Sequence, residues 1–353
     1  MTKKILALLL SLCLLCGMLG ACGNQGGTET TEGTDPKMNK NHPGNDDTLS
    51  ILMVGNSFCF YYVEELYGLL MANPDPNRGY TNVEIVNVYY SGCTLTQHHT
   101  WWRSGLGMYQ LFKTNANGRN EMEPSGQWTL ENALKQGKWD YISLQGTVQG
   151  GDYSKDDTVQ LATAIMEKAG PLLDRFHELH PYAQLLWHRT WPFEIGRISG
   201  TTVYDAEMLE KYNNGMQNVC DYICNELDKD KDYDLVMVNS GAAWVEAREQ
   251  DAKLETTLFP AGGLCARLGV ANGKTYTGAQ HNEQDVGDGY HDGDIGGAQF
   301  LNACVWYETI TGQSCLDNPY KPDLTNGKYT LSDELVALLR NAAHTIVQND
   351  RSK

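Results

Sequence analysis

Five short apolar runs alternate along this chain with helix-like segments, and that alternation narrows the fold more than any other feature. The runs are Leu49–Val54, Val83–Tyr89, Tyr141–Leu144, Gln184–His188 and Leu235–Val238. Strands this apolar belong to a parallel sheet covered on both faces. Between them, Asp157–His180 has helical periodicity, with Leu161, Ala164, Ile165, Ala169 and Leu172 able to share one face. Asp205–Leu227 reads as another helix, and Gly296–Thr311 and Leu331–Val347 as closing ones. The expectation is a three-layer α/β/α fold, flavodoxin-like, with a central parallel sheet of about five strands. Loops at the carboxyl ends of such strands converge on one crevice. Four of the five runs carry polar or glycine-rich tips there.

The first run ends abruptly in Gly55-Asn56-Ser57, and far along the chain comes Asp288-Gly289-Tyr290-His291. A serine hydroxyl is a poor nucleophile until an imidazole takes its proton and a carboxylate holds that imidazole. An Asp three residues before a His lets one loop present both. Ser57 also suits the N-cap of a helix over Phe58–Leu70, a role that does not conflict with nucleophilic chemistry.

The beginning of the chain reads as an address. Lys3 and Lys4 precede an apolar run, Ile5–Leu15, that is short for a membrane span. Leu19-Gly20-Ala21-Cys22 then matches the cleavage pattern of bacterial lipoprotein signals. Residues 1–21 are therefore expected to be removed, with Cys22 lipidated and the protein held outside the cytoplasmic membrane. Residues 22–47 are rich in Gly, Thr, Asn, Asp and Glu, and read as a flexible tether. Residues 48–353 remain for one large α/β domain.

The formal charge is −17, and loss of Lys3 and Lys4 with the signal makes it −19. So acidic a domain argues against nucleic acid or anionic lipid as partner, and suits a neutral substrate such as an uncharged glycan. Seven cysteines lie beyond Cys22: Cys59, Cys93, Cys220, Cys224, Cys265, Cys304 and Cys315. Their spacing does not suggest zinc. Buried free thiols are the preferred reading, with a Cys59–Cys93 bridge left open. Asp285, Asp288, Asp292 and Asp294 do not follow the spacing of a helix–loop–helix calcium site. His98, His99 and His188 suit hydrogen-bonded structural roles better than metal ligation. No metal or cofactor is expected.

Set side by side, the motifs resemble the SGNH hydrolase superfamily of serine esterases, and more closely a branch of it known only as a domain of unknown function. The resemblance runs through Ile51-Leu52-Met53-Val54-Gly55-Asn56-Ser57-Phe58, Ser91-Gly92-Cys93-Thr94-Leu95, Trp139-Asp140-Tyr141-Ile142-Ser143-Leu144-Gln145 and Thr190-Trp191-Pro192-Phe193. It continues through Val238–Trp244, Asp288–His291 and Val305–Gly312. It implies Ser57 as nucleophile, His291 as general base and Asp288 as its orienting carboxylate. It also implies an oxyanion hole from the N–H groups of Ser57 and Gly92 and the side-chain amide of Gln145, each donor typically worth about 3 kcal/mol. The chain departs from the superfamily in having Gly-Asn-Ser for Gly-Asp-Ser, and Gln145-Gly146-Thr147-Val148 for Gly-x-Asn-Asp. Asp292-Gly293-Asp294 after His291 is a further departure.

The implied activity is hydrolysis of acetyl or other small acyl esters on carbohydrate. Trp102 and Trp191 are placed at the substrate, from a set that includes Trp101, Tyr153 and Phe193. The alternatives are a catalytically silent glycan-binding lipoprotein and a metal-assisted phosphoesterase.

Overall fold

In a computed structural model of the protein, the expected strands lie side by side in one sheet. The structure describes residues 47–75, 79–122, 127–146, 157–191, 198–199, 202–203, 206–231, 233–256, 258–259, 270–271, 274–275, 297–322 and 331–353. The first strands are β1 (Thr48–Gly55), β2 (Asn82–Tyr89), β3 (Gln110–Asn115), β4 (Gly118–Glu121), β5 (Tyr141–Gln145) and β6 (Gln184–Arg189). The two-residue strands β7 (Ile198–Ser199) and β8 (Thr202–Val203) pair only with each other. After them comes β9 (Val236–Asn239), while β10 (Val270–Ala271) and β11 (Lys274–Thr275) form another separate pair. The main sheet has seven strands in the order β4-β3-β2-β1-β5-β6-β9.

Its parallel part, β2-β1-β5-β6-β9, comprises the five strands read from the sequence. The two additional strands form an antiparallel hairpin on the β2 edge. They are missing from the apolar-run reading because an edge hairpin need not be apolar. Among β3 residues only Leu111 and Thr114 are buried, and β4 reads Gly-Arg-Asn-Glu. Gly118 closes the tight connection with φ at +83°, a conformation open to glycine.

Strand alternation divides the apolar side chains between two cores. On one face Ile51, Met53 and Ile85 pack with α1 (Val63–Ala72). The opposite face carries Leu52, Val54, Val86, Val88, Ile142 and Leu144, under α2 (Leu95–Ser104), α3 (Leu130–Leu134), α4 (Thr158–Leu179) and α5 (Ala206–Tyr222). The α1 face is completed by α6 (Ser240–Ala252), α7 (Ala298–Thr311) and α8 (Asp333–Arg351). Each fully buried aliphatic side chain contributes about 1.5–3 kcal/mol, so these two layers fix the sheet between them. Every residue of α7 except Gln299 is buried. Its Glu308 is wholly covered and accepts from Gln348 Nε2 (3.0 Å) and the Cys315 N–H (3.0 Å), and sits 2.6 Å from His344 Nδ1. A buried carboxylate is tolerated when so surrounded by partners.

The helix expected to start at Phe58 starts later. Ser57–Cys59 form a 3-10 turn, and α1 begins only at Val63. The six described cysteines are free thiols, all buried except Cys224; Cys265 lies outside the described residues. Among the described residues no helix is long and apolar enough to cross a membrane.

Candidate functional site

The chain leaves β1 toward β2 on one side and reaches β5 on the other, so β1 is where strand order reverses. In open parallel sheets that reversal opens a crevice beyond the strand's carboxyl end. Ser57 sits there as the first residue of the 3-10 turn, with 6% of its surface exposed. The turn is closely braced. Asn56 Oδ1 accepts from the Phe58 N–H (3.0 Å), and the Asn56 carbonyl accepts from the Cys59 N–H (3.1 Å) and thiol (3.2 Å). From β2, Asn87 Nδ2 donates to the Cys59 carbonyl at 2.6 Å.

Asn56 also ties the turn to both neighbouring strand tips. Its Nδ2 donates to the Cys93 carbonyl (2.9 Å), and its backbone N–H donates to Gln145 Oε1 (3.1 Å). The tips of β2, β1 and β5 are thus bound together through one side chain and its own amide. With Oε1 of Gln145 held by the Asn56 N–H, the donor group of that carboxamide is not used in this contact. Gly92 has φ +65°, and a Cβ there would meet nothing within 4 Å. Glycine is demanded by the backbone conformation, not by lack of space.

Gly55 is glycine for the opposite reason. A Cβ would lie 2.6 Å from Gln145 Oε1 and 2.8 Å from Cys59 Sγ. Gly55→Ala is therefore expected to push the Gln145 amide off the Asn56 N–H. Overpacking of this kind costs about 1–3 kcal/mol. Thermal unfolding should report that loss, and Gln145 should no longer protect the Asn56 amide from hydrogen exchange.

Of the sequence-derived site residues, Ser57, Gly92 and Gln145 are brought together at one end of the sheet. Asp288, His291 and Cys22 lie outside the described residues, as do Asp285, Asp292, Asp294, Tyr153 and Phe193. Trp102 is half-buried on α2, 6.2 Å from the His99 ring. Trp191 belongs to the core. It is 5% exposed, stacked on Trp244 at 4.8 Å and edge-on to Phe58 at 4.8 Å. The sequence reading set it at the substrate; the structure packs its ring against Phe58, in the Ser57 turn, and Trp244.

Two buried polar residues at the end of β6, His188 and Arg189, lie outside the motifs. Arg189, the last residue of β6, is wholly buried; it donates to Asn239 Oδ1 (2.8 Å) and to the carbonyl (3.2 Å) and side-chain oxygens of Asn213. Burial lowers its pKa, opposed by Cys220, Asp350 and Asp221 nearby. Asn239 passes the network on to Asp350 Oδ2 at 2.8 Å. A charged residue just after an apolar run reads as a solvated loop, so nothing in the sequence marks Arg189 as core. His188 faces Ser240 Oγ at 3.1 Å from Nε2. Burial pushes its pKa down to about 3, which leaves it neutral and a poor proton acceptor. Cys93 is similarly inert, its thiol raised to about 12 by burial.

His98, buried against Tyr109 Oη (2.9 Å), is also pushed down to about 3. These two imidazoles make the fold acid-sensitive. Unfolding lets each bind a proton at its ordinary pKa near 6.5, so the unfolded state holds more protons below that pH. Stability should be full above about pH 6.5 and fall steadily toward pH 3. Chemical denaturation across that range checks it, and His98→Gln should flatten the slope.

Fold and site together define a doubly wound α/β protein with a braced serine turn at the reversal point of its sheet. The chain belongs to the family described as a domain of unknown function, DUF4886, which matches residues 50–264. A crystal structure of a DUF4886 family protein from Bacteroides uniformis ATCC 8492 is 21% identical, with a TM-score of 0.60, covering 85% of this chain and 95% of that one. That likeness establishes a shared fold. More distant are a GDSL-like protein from Parabacteroides merdae ATCC 43184 (14% identity, TM-score 0.40, 75% of this chain and 95% of that one) and an active-site mutant of a family two carbohydrate esterase from Clostridium thermocellum (13% identity, TM-score 0.27, 54% and 52%). At those scores neither bears on function. No curated protein matches the sequence.

Proposed function

We propose that the protein is an SGNH-type serine esterase that removes acetyl or other small acyl groups from carbohydrate, tethered outside the cytoplasmic membrane through lipid on Cys22. The observation that carries this reading is the Asn56 junction. It ties the Ser57 turn to the Cys93 carbonyl beside Gly92 on one side and to the Gln145 side chain on the other, so the three donors an oxyanion at Ser57 would need come from segments fastened to one another. His291 and Asp288 complete the set on the strength of the sequence resemblance.

In this mechanism Ser57 Oγ attacks the ester carbonyl while His291, held by Asp288, takes the hydroxyl proton. The carbonyl π electrons move onto oxygen, and the N–H groups of Ser57 and Gly92 with the Gln145 amide stabilise the resulting charge. Collapse expels the sugar alcohol, which receives the proton from His291, and leaves an acyl-Ser57 ester. Water deprotonated by His291 attacks that ester, releasing the carboxylic acid and restoring Ser57.

The test is covalent. A fluorophosphonate should label Ser57 stoichiometrically in the lipid-free domain and abolish both p-nitrophenyl acetate hydrolysis and acetate release from acetylated polysaccharides. Hydrolysis that survives complete labelling, or is lost to EDTA alone, would overturn the assignment. Labelling without any ester turnover would leave the glycan-binding alternative standing.

A further inference from the structure

Beside the Ser57 turn lies an aromatic group that no catalytic role absorbs. Phe60, whose N–H donates to the Ser57 carbonyl at 3.3 Å, sits 4.7 Å from the Tyr89 ring and 4.9 Å from Phe112; Tyr89 and Phe112 are 5.9 Å apart. The Arg119 guanidinium lies 4.3 Å over the Phe60 ring and reaches the Tyr61 carbonyl at 3.4 Å and Glu64 at 3.5 Å. Three separate elements converge here: the nucleophile turn, the end of β2 and the β3–β4 hairpin.

All three rings are half-buried. Under the helices of the same face Tyr62, Phe300, Trp306 and Tyr307 have no exposed surface, while Tyr67 and Tyr320 are partly buried at its margin. What sets Phe60, Tyr89 and Phe112 apart is their mutual contact beside the Ser57 turn. Their position is continuous with the nucleophile at both ends, since Phe60 follows Ser57 in the same turn and Tyr89 leads through Tyr90 and Ser91 to Gly92.

Resting on the esterase reading, we propose that Phe60, Tyr89 and Phe112, rimmed by Arg119, form a subsite that seats the sugar ring bearing the scissile ester. A pyranose offers C–H faces that lie against aromatic rings and a rim of hydroxyls that need polar partners. The platform supplies both: the part-exposed rings of Tyr89 and Phe112, the Tyr89 hydroxyl, and the Arg119–Glu64 pair, whose guanidinium lies over the Phe60 ring. A long acyl chain would want an apolar trough without that charged rim. An anionic polymer would meet an acidic protein of net charge −17.

The test compares a sugar-free ester with sugar esters. Phe112→Leu and Tyr89→Leu keep apolar bulk but remove the ring. Both should hydrolyse p-nitrophenyl acetate within about twofold of wild type, yet lose at least tenfold in kcat/KM on peracetylated xylose, peracetylated glucose and acetylated xylan, mainly through KM. Phe112→Trp should restore most of that loss. Equal losses on aryl and sugar esters would show a structural role and overturn the subsite. So would wild-type sugar-ester turnover indifferent to these variants, or a wild type active on the aryl ester but on none of the sugars; in both cases the esterase reading stands. A wild type inactive on every ester sinks that reading, and the subsite with it.

Discussion

Ser57→Ala is expected to reduce ester turnover about 10⁴–10⁶-fold, the scale on which removal of a serine nucleophile acts in hydrolases of this chemistry. The loss should fall on kcat, because the hydroxyl contributes little to holding substrate and everything to bond formation. Ser57 is not the residue that caps the 3-10 turn; Asn56 does that through the Phe58 N–H. Its backbone, not its side chain, accepts from Phe60. Measuring the variant's unfolding midpoint beside its turnover separates loss of the hydroxyl's chemistry from loosening of the turn. Turnover reduced less than a hundredfold would mean that another group attacks the ester.

Asn56→Asp is expected to be the most damaging conservative change at the site, although it recreates the Gly-Asp-Ser spelling common in the superfamily. Here the Asn56 amide is a donor, and its acceptor is the Cys93 carbonyl at 2.9 Å. A carboxylate cannot donate, so the substitution would set a negative charge against a carbonyl oxygen at a position only 4% exposed. The carboxylate keeps the Phe58 N–H as a partner but faces the Cys93 carbonyl with none, and a buried polar group left so costs about 1–3 kcal/mol. The turn should loosen, with turnover falling about 10²-fold or more as the oxyanion donors lose register. The sign of the pH dependence is specific. Burial raises the folded-state pKa of the introduced carboxyl, so the variant's deficit should shrink as pH falls and the protonated acid again donates to Cys93. Stability of both proteins measured at pH 8 and pH 5 checks this; a deficit that grows on acidification, relative to wild type, contradicts it.

The same residue shows where sequence reading reaches its limit. Strand positions were legible because β1, β2, β5, β6 and β9 are apolar on both faces and end in turn residues. The placement of Ser57, Gly92 and Gln145 at strand tips followed from that pattern. What Asn56 does was not legible, since its partners Cys93 and Gln145 stand 37 and 89 positions away. The hairpin escaped notice for a local reason: Gln110–Asn115 has only Leu111 and Phe112 as apolar residues, side by side, and neither an apolar run nor an alternation, although Asn117-Gly118 is a turn signal. The packing of Trp191 was not legible, since an aromatic in a crevice loop suits a sugar ring as well as a core, and only the folded chain brings Trp244 against it.

The α8 helix lies at the opposite end of the sequence from β1, yet Leu335, Leu339, Ala342 and Val347 belong to the same core as Ile51 and Met53. Its final turn is fastened as well, with Asp350 bound to Asn239 and Arg351 donating to the Gly312 carbonyl at 3.1 Å. Because α8 follows every strand of the main sheet in chain order, the α1 face of the sheet lacks its full cover until α8 has been made. Until that moment the nascent polypeptide shows an apolar surface to whatever chaperone meets it.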